Sequence, residues 1–342
     1  MKALLASFNS VHGCNPMVSR VIDALPGYQR ATADDCEVVF LSFIAPQGDF
    51  VLDTESLKKI TDRNVPVIIF DHTETFADDF FLGFSELPDI SPYKPLDQAL
   101  RLLPVKAYFK RELTVEANRT WSLPIPLYPI DWTLNVIQCG PVAVDTSEEY
   151  NARPIDIFMS WGYSSESRPK LMGELLRRAG EFSAHFVLTE EDLDRALVEK
   201  RERIFALLFT PHYRRIHISK IIDWQSKAKI SVSMFGAGKK CFRHAEASYN
   251  SLMAQQQPDA VQWSYPWIAG TNCIQLPEGN RLGQTAWEPE ETVAVNWLFN
   301  ALRCEQGKLF PVYVQCVQNN RHYLNSTYAI YYLLPRILKA LS

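Results

Sequence analysis

Short apolar runs rich in β-branched residues alternate with amphipathic segments along much of this chain. The segments between the runs, at 15–25, 53–63 and 95–102, have apolar residues at helical spacing. Alternation of strands with helices is typical of a mostly parallel sheet covered by helices, so the sequence predicts an α/β fold. In the first half, the predicted strands are residues 2–7, 37–43, 65–70 and 105–109.

The strand and helix pattern stops between residues 113 and 153, where prolines occur at 124, 126, 129 and 141. Proline and the residue before it disfavour helix, so we expect a domain junction here. A length of 342 residues also exceeds the usual single core. The predicted domains are 1–140 and 141–318, followed by a terminal helix within 319–342. In the second half, the predicted strands are 155–159, 185–188, 206–209, 229–234, 261–263 and 273–275, and the predicted helices include 169–179 and 321–341.

Composition excludes several classes of protein. The net charge of -4 predicts no nucleic-acid partner, because such surfaces usually carry an excess of Lys and Arg. The seven cysteines are odd in number and never form a CxxC pair, which argues against a disulfide framework or a zinc site. With no run of 18 apolar residues, we expect no transmembrane segment and a cytoplasmic location.

The most informative motif is the stretch 229–247, in which an apolar strand leads through Gly236 and Gly238 into a helix that carries Arg243 and Glu246. Backbone N–H groups of a glycine turn and a helix N-terminus attract anions, above all phosphate. Arginine can hold a phosphate with two donors, and a glutamate can accept from a ribose diol. An ordinary Arg-Glu pair on a helix surface remains the alternative interpretation.

Two common nucleotide fingerprints do not fit this stretch. The dinucleotide-binding fingerprint requires a small residue where Cys241 stands. A P-loop requires Ser or Thr where Lys240 follows Gly238-Lys239. The stretch therefore predicts a phosphate site of another type.

The sequence KISVSMFGAGKKCFRHAEA at 229–247 resembles the donor-domain signature of exostosin-like glycosyltransferases (family 47) and their soluble bacterial and viral GT-B relatives. The residues that match the family's R-x-x-E-A motif are Arg243, Glu246 and Ala247. Members of the family have a Pro-containing stretch soon afterwards, whereas residues 250–253 here contain no proline.

Other segments carry the same resemblance over most of the chain. SWGYSSESRPKLMGEL at 160–175 is similar to the family's strand, glycine turn and helix, with Gly162, Arg168 and Leu171 matching. FKREL at 109–113 and YPID at 128–131 are similar to the segment between the two halves. The helices from residue 310 onward resemble the segment that returns to the first domain.

The resemblance implies a GT-B fold, in which two Rossmann-like parallel-sheet domains face a central cleft. It also implies that the second domain binds a nucleotide-sugar and that the sugar moves to a glycan or glycoconjugate acceptor. No cofactor and no metal ion are expected, since side chains neutralise the departing diphosphate. The residues expected to bind the donor are Gly162, Arg168, Arg215, Lys220, Gly236, Gly238, Arg243 and Glu246.

An inverting transferase needs a base that takes the proton of the acceptor hydroxyl. Asp71 is the first candidate, because it directly follows the strand predicted at 65–70, and Glu74 and Glu112 are the reserves. An Asp at a strand end also often caps the next turn, so a structural role stays open.

Two other functions remain open from the sequence. A nucleotide-sugar epimerase shares the architecture, and fold does not fix chemistry. A non-catalytic module that binds nucleotide-sugars or glycans is the second alternative, favoured by the missing proline at 250–253.

Overall fold

In a computed structural model of the chain, two compact units are distinguished. Unit 1 contains Met1–Thr133, Asp259–Pro266 and Ser326–Ser342, and unit 2 contains Leu134–Pro258 and Trp267–Asn325. The domain boundaries predicted from the sequence stay predictions. The structure describes residues 1–7, 21, 23–42, 50–51, 54–71, 103–121, 123–131, 144–162, 167–210, 216–234, 242–256, 261–276, 295–296, 298–300, 302, 306–323 and 331–342.

Unit 1 is built on a parallel sheet with the strand order β2-β1-β3-β5-β6-β7, and β4 pairs with β1. The central strands consist almost entirely of buried apolar residues, as expected for a sheet covered on both faces. The strands of unit 1 are β1 Lys2–Ser7, β2 Gln29–Arg30, β3 Val38–Ser42, β4 Phe50–Val51, β5 Val67–Asp71, β6 Val105–Lys110 and β7 Leu127–Pro129.

Helices α1 (Thr54–Asp62) and α2 (Val115–Thr120) belong to unit 1. Ile60 of α1 packs with Val39 and Ile69 in the core, which fixes that helix on the sheet. The four strands predicted in this half and the helix predicted at 53–63 are confirmed. The helix predicted at 95–102 and most of the one predicted at 15–25 lie outside the described residues.

Unit 2 contains a six-stranded parallel sheet with the order β13-β12-β11-β8-β10-β9. With two parallel α/β sheets, the predicted fold class is confirmed. The strands of unit 2 are β8 Ile155–Gly162, β9 His185–Val187, β10 Ile204–Thr210, β11 Ala228–Ser233, β12 Leu252–Gln256 and β13 Ile274–Leu276.

Helices cover both faces of this second sheet. Leu171 and Tyr313, each on a helix, pack with Ile157 on one face. Leu193 and Trp224, on two other helices, pack with neighbouring strand residues on the other face. The described helices of unit 2 are α3 Ser147–Asn151, α4 Ser167–Arg177, α5 Glu190–Val198, α6 Ile218–Ser226, α7 Phe242–Asn250 and α8 Gln306–His322.

The helix predicted at 321–341 is described only in part, because residues 324–330 lie outside the described residues. Helix α8 spans Gln306–His322, and helix α9 spans Leu334–Leu341 in unit 1, where it packs against β6. Residues 261–263, predicted as a strand, form only one antiparallel bridge, between Val261 and Thr114. Among the described helices, none is both long and apolar enough to cross a bilayer.

Candidate functional site

The sheet of unit 2 changes winding direction between the adjacent strands β8 and β11. The chain runs from β8 through α4 to β9, at one edge of the sheet, whereas it runs from β11 through α7 to β12, toward the other edge. Ligands of open α/β sheets bind outside the carboxyl ends of the strands at such a switch point. The motifs at 160–175 and 229–247 supply these two strand ends.

Arg168, in the first turn of α4, ties the ends of β8 and β11 together. Its Nη1 donates to the carbonyl oxygen of Gly162 at 3.0 Å, and its Nη2 donates to that of Met234 at 3.2 Å. The side chain is buried. The guanidinium therefore links the ends of the two strands, and its predicted contact with a phosphate stays a prediction.

Arg243 and Glu246 lie in the first half of α7. Arg243 Nη1 is 2.7 Å from Glu246 Oε2, and the side chains are only 19% and 7% exposed. Burial raises the pKa of Glu246 because it disfavours the charged carboxylate, although Arg243 opposes this shift. The two residues thus form a largely buried pair in the helix that follows β11. An ordinary Arg-Glu pair on a helix surface would instead be solvated.

Two buried polar atoms lie at the same strand ends. Trp161 precedes the last residue of β8, and Ser233 ends β11; their side chains are almost fully buried. Among the described residues, neither Trp161 Nε1 nor Ser233 Oγ has a hydrogen-bond partner. Because buried polar groups are nearly always satisfied, these atoms fit a site that a ligand or water completes. No sequence pattern distinguishes such an atom from a satisfied one.

Of the remaining residues predicted to bind the donor, Lys220 lies within the described residues. Lys220, on α6, has its ammonium 3.2 Å from Asp194 and 3.9 Å from Glu190, and about half of the side chain is exposed. Two carboxylates therefore compete with any phosphate for this lysine. Predicted site residues outside the described part of the chain are Glu74, Arg215, Gly236 and Gly238.

In unit 1, Asp71 ends β5 beside Lys110, which ends β6 in register with it. Asp71 Oδ2 accepts from Tyr108 Oη at 2.5 Å and from Lys110 Nζ at 2.9 Å, and all three side chains are buried. Burial lowers the pKa of Lys110, while the Asp71 carboxylate opposes that shift. Asp71 is thus held by an ion pair and a phenol; its role as a base stays a prediction.

Glu112 lies two residues beyond the end of β6. Its Oε1 is 3.3 Å from Nε of Arg111, and both side chains are buried. Together with Asp71 and Lys110, they place two acidic and two basic groups at one edge of the sheet. Buried charges are costly, and they concentrate at functional sites. The structure therefore brings two of the three predicted bases, Asp71 and Glu112, to the carboxyl edge of the first sheet.

A small cavity of about 160 Å³ lies at the carboxyl ends of β9 and β10. Its lining combines apolar side chains with hydroxyls and two carboxylates. The lining residues are Leu188, Thr189, Glu190, Glu191, Leu208, Phe209, Thr210 and Ile216. Within the described ranges, no group of three His, Cys, Asp or Glu side chains is arranged to hold a metal ion.

Several solved structures that this chain resembles are glycosyltransferases. One is an alpha-glucosyltransferase in complex with UDP and a 13-mer DNA containing a HMU base, with TM-score 0.57 and 6% identity over 100% of this chain and 99% of that chain. Another is an alpha-glucosyltransferase in complex with UDP-glucose and DNA containing an abasic site, with TM-score 0.53 and 9% identity over 100% and 99%. A sucrose-phosphate synthase from Thermosynechococcus elongatus has TM-score 0.51 and 13% identity over 100% of both chains.

These likenesses establish the GT-B fold for this chain, as predicted. No protein-family model matches the chain, and no curated protein matches its sequence. The likeness to the exostosin family in particular rests on the sequence motifs alone and stays a prediction.

One prediction about partners is wrong. The net negative charge predicts no nucleic-acid partner, yet three of the solved structures with this fold contain DNA. Net charge averages over the whole surface, whereas binding of nucleic acid requires only a local patch of positive charge. Net charge therefore does not exclude a nucleic-acid partner.

Proposed function

We propose that this chain is a glycosyltransferase that moves a sugar from a nucleotide-sugar donor to a hydroxyl group of an acceptor. The observation that carries the proposal is the arrangement of side chains at the ends of β8 and β11. Arg168 bonds to a carbonyl oxygen at each of these two strand ends, and the buried Arg243-Glu246 pair lies in the helix that follows β11. The fold neighbours solved with UDP or UDP-glucose support the same class of donor.

The donor site supplies positive charge where the reaction creates negative charge. The acceptor oxygen bonds to the anomeric carbon while the bond from that carbon to the diphosphate breaks, and the nucleoside diphosphate leaves with the electron pair. In the proposed arrangement, Arg243 and the N-terminus of α7 face the diphosphate, and Glu246 accepts from a ribose hydroxyl. Cations fixed before the reaction stabilise the leaving group without reorganisation.

Side chains alone are proposed to neutralise the diphosphate, so transfer is expected to be independent of added divalent metal. Activity that survives EDTA at its full rate supports this part of the proposal. Activity that requires Mg²⁺ or Mn²⁺ contradicts it.

Asp71 is proposed to take the proton of the acceptor hydroxyl, with Lys110 and Tyr108 holding its carboxylate in place. A single displacement assisted by one base inverts the anomeric centre. Proton NMR of the first-formed product measures the anomer, and retention would contradict this assignment.

The proposed acceptor is DNA, because three of the solved structures with this fold hold DNA. A 13-mer DNA containing a HMU base is the first acceptor to test. A glycan such as maltoheptaose serves as the comparison acceptor, and the mass of each product shows which one receives the sugar.

The donor site is tested with a panel of UDP-, GDP-, ADP- and TDP-sugars, by calorimetry and by product analysis. We expect one donor class to bind the wild type and Arg243→Ala to bind it at least about tenfold more weakly. The matched control is Arg177→Ala, which removes an exposed Arg-Glu pair of the same spacing on α4. Equal binding by wild type and Arg243→Ala refutes the site, and isomerisation of the donor without an acceptor identifies an epimerase instead.

A further inference from the structure

A short piece of chain between β12 and β13 belongs to unit 1, whereas the strands on either side of it belong to unit 2. Its described part, residues 261–266, lies on the segments that follow β6 and β7. Val261 forms an antiparallel bridge with Thr114, and the backbone N–H of Gln262 donates to the carbonyl oxygen of Leu113 at 2.8 Å. The segment therefore pairs with the backbone that directly follows Glu112, beyond the carboxyl end of β6.

Asp131, two residues beyond the end of β7, fixes the conformation of this segment. Its Oδ2 accepts from the backbone N–H of Tyr265 at 2.7 Å and from the hydroxyl of Ser264. Asp131 is buried, and hydrogen bonds to a carboxylate are stronger than neutral ones. Residues 261–265 are thus pre-organised by unit 1.

The segment presents aromatic and amide side chains. Trp263 and Tyr265 are partly exposed. Beside them, Asn118 Nδ2 of α2 donates to Gln262 Oε1 at 3.1 Å at the surface. Aromatic rings stack on any nucleobase, and Asn and Gln amides pair with the donors and acceptors at base edges. The two kinds of side chain together match a ring that has a flat face and a hydrogen-bonding edge.

We propose that residues 261–265 form an acceptor-recognition surface and that Trp263 and Tyr265 stack on a nucleobase of a DNA acceptor. The inference rests on the proposed function, which defines DNA as the acceptor. The claim that DNA binds to this segment can nevertheless be tested without measuring sugar transfer. A nucleobase is favoured over a sugar ring because its whole face is flat and its edge matches the amide pair. Asp131 acts as a positioning residue through Ser264 and Tyr265.

The test is fluorescence anisotropy with a labelled 13-mer DNA containing a HMU base, at fixed salt. Loss of one stacking ring is expected to weaken binding about 10- to 100-fold in Trp263→Ala or Tyr265→Ala. Trp263→Phe keeps a ring and should bind within a few-fold of the wild type. The control Tyr331→Ala removes an exposed aromatic of unit 1 outside the segment, and it should bind normally.

Asp131→Ala should weaken binding of the DNA while leaving calorimetric binding of the nucleotide donor unchanged. Asp131→Asn keeps an oxygen acceptor and should recover most of the affinity for DNA. A variant that merely unfolds would lose both kinds of binding and its melting transition, and the Phe and Asn variants then decide the question.

The proposal is overturned if wild type does not bind the DNA, if Trp263→Ala binds it as tightly as wild type, or if Tyr331→Ala loses as much. It is also overturned if Trp263→Ala weakens the binding of maltoheptaose and leaves the binding of DNA unchanged. DNA binding that depends on Trp263 in a protein that neither binds nor turns over any nucleotide-sugar would refute the proposed function and leave this inference standing.

Discussion

Replacing Asp71 with Asn tests the buried ion pair of unit 1 most sharply. The variant keeps the shape of the side chain but leaves the Lys110 ammonium without its carboxylate, and both side chains are fully buried. Breaking one partner of a buried pair costs about 3–5 kcal/mol. We therefore expect the free energy of unfolding, measured by urea denaturation at pH 6, to fall by that amount.

The loss should depend on pH. Burial already lowers the pKa of Lys110, and removal of Asp71 lowers it further. When the pKa of a lysine is lower in the folded than in the unfolded state, its charge destabilises the folded state. This destabilisation is complete at a pH below the folded pKa and disappears as the pH rises toward the unfolded pKa. The destabilisation should thus shrink between pH 6 and pH 10, by at most about 1.4 kcal/mol per pH unit.

The double variant Asp71→Asn with Lys110→Met separates structure from catalysis. Without either charge, most of the lost stability should return, because replacing a buried ion pair with uncharged side chains often changes the free energy of unfolding little. If Asp71 is the base, transfer activity should stay absent at restored stability. Asp194→Asn, which removes an exposed partner of Lys220, is the control. A single variant as stable as wild type at pH 6 would refute the reasoning.

Three further outcomes are expected. Burial raises the folded pKa of Glu246, so its charge destabilises the folded state fully at neutral pH and less as the pH falls. In urea titrations, the wild type should therefore gain stability relative to Glu246→Gln between pH 7 and pH 5. The same pH dependence of stability in both proteins would contradict this expectation. Burial raises the pKa of both Cys273 and Cys316 to about 12, so these thiols should resist iodoacetamide at pH 8 until urea unfolds the protein, as mass spectrometry can show. Tyr313→Phe removes a 2.9 Å bond from the buried Arg153 guanidinium, and the free energy of unfolding should fall by about 1.5–3 kcal/mol, while no change would exclude that bond as a stabilising contact.

The sequence predicts the strands of this fold better than its chain path. Runs such as Val67–Asp71 and Ala228–Ser233 consist of buried strand-forming residues, and their local pattern suffices to identify them. Of the helix predicted at 321–341, the last turns are confirmed by α9, in which the apolar residues recur at helical spacing. The return of Asp259–Pro266 to unit 1 depends on the distant partners Leu113 and Asp131, which no local pattern reveals.

The candidate site was predicted in part. Arg168, Arg243 and Glu246 follow strands whose ends the topology brings together, so their position after an apolar run was informative. The burial of the Arg243-Glu246 pair and the unpaired atoms of Trp161 and Ser233 depend on tertiary packing. Likewise, the Lys110 partner of Asp71 lies 39 residues away, and only the register of β5 with β6 pairs them.

Hydrogen exchange with and without nucleotide tests the central claim most directly, because it locates the donor site without relying on turnover. After saturation with whichever of UDP, GDP, ADP or TDP binds, the backbone N–H groups of 160–171 and 233–247 should exchange more slowly. The peptide covering 190–198, which contains helix α5 of the same unit, should be unaffected. Protection confined to unit 1, or no binding of any of these nucleotides, would contradict a donor site at the ends of β8 and β11.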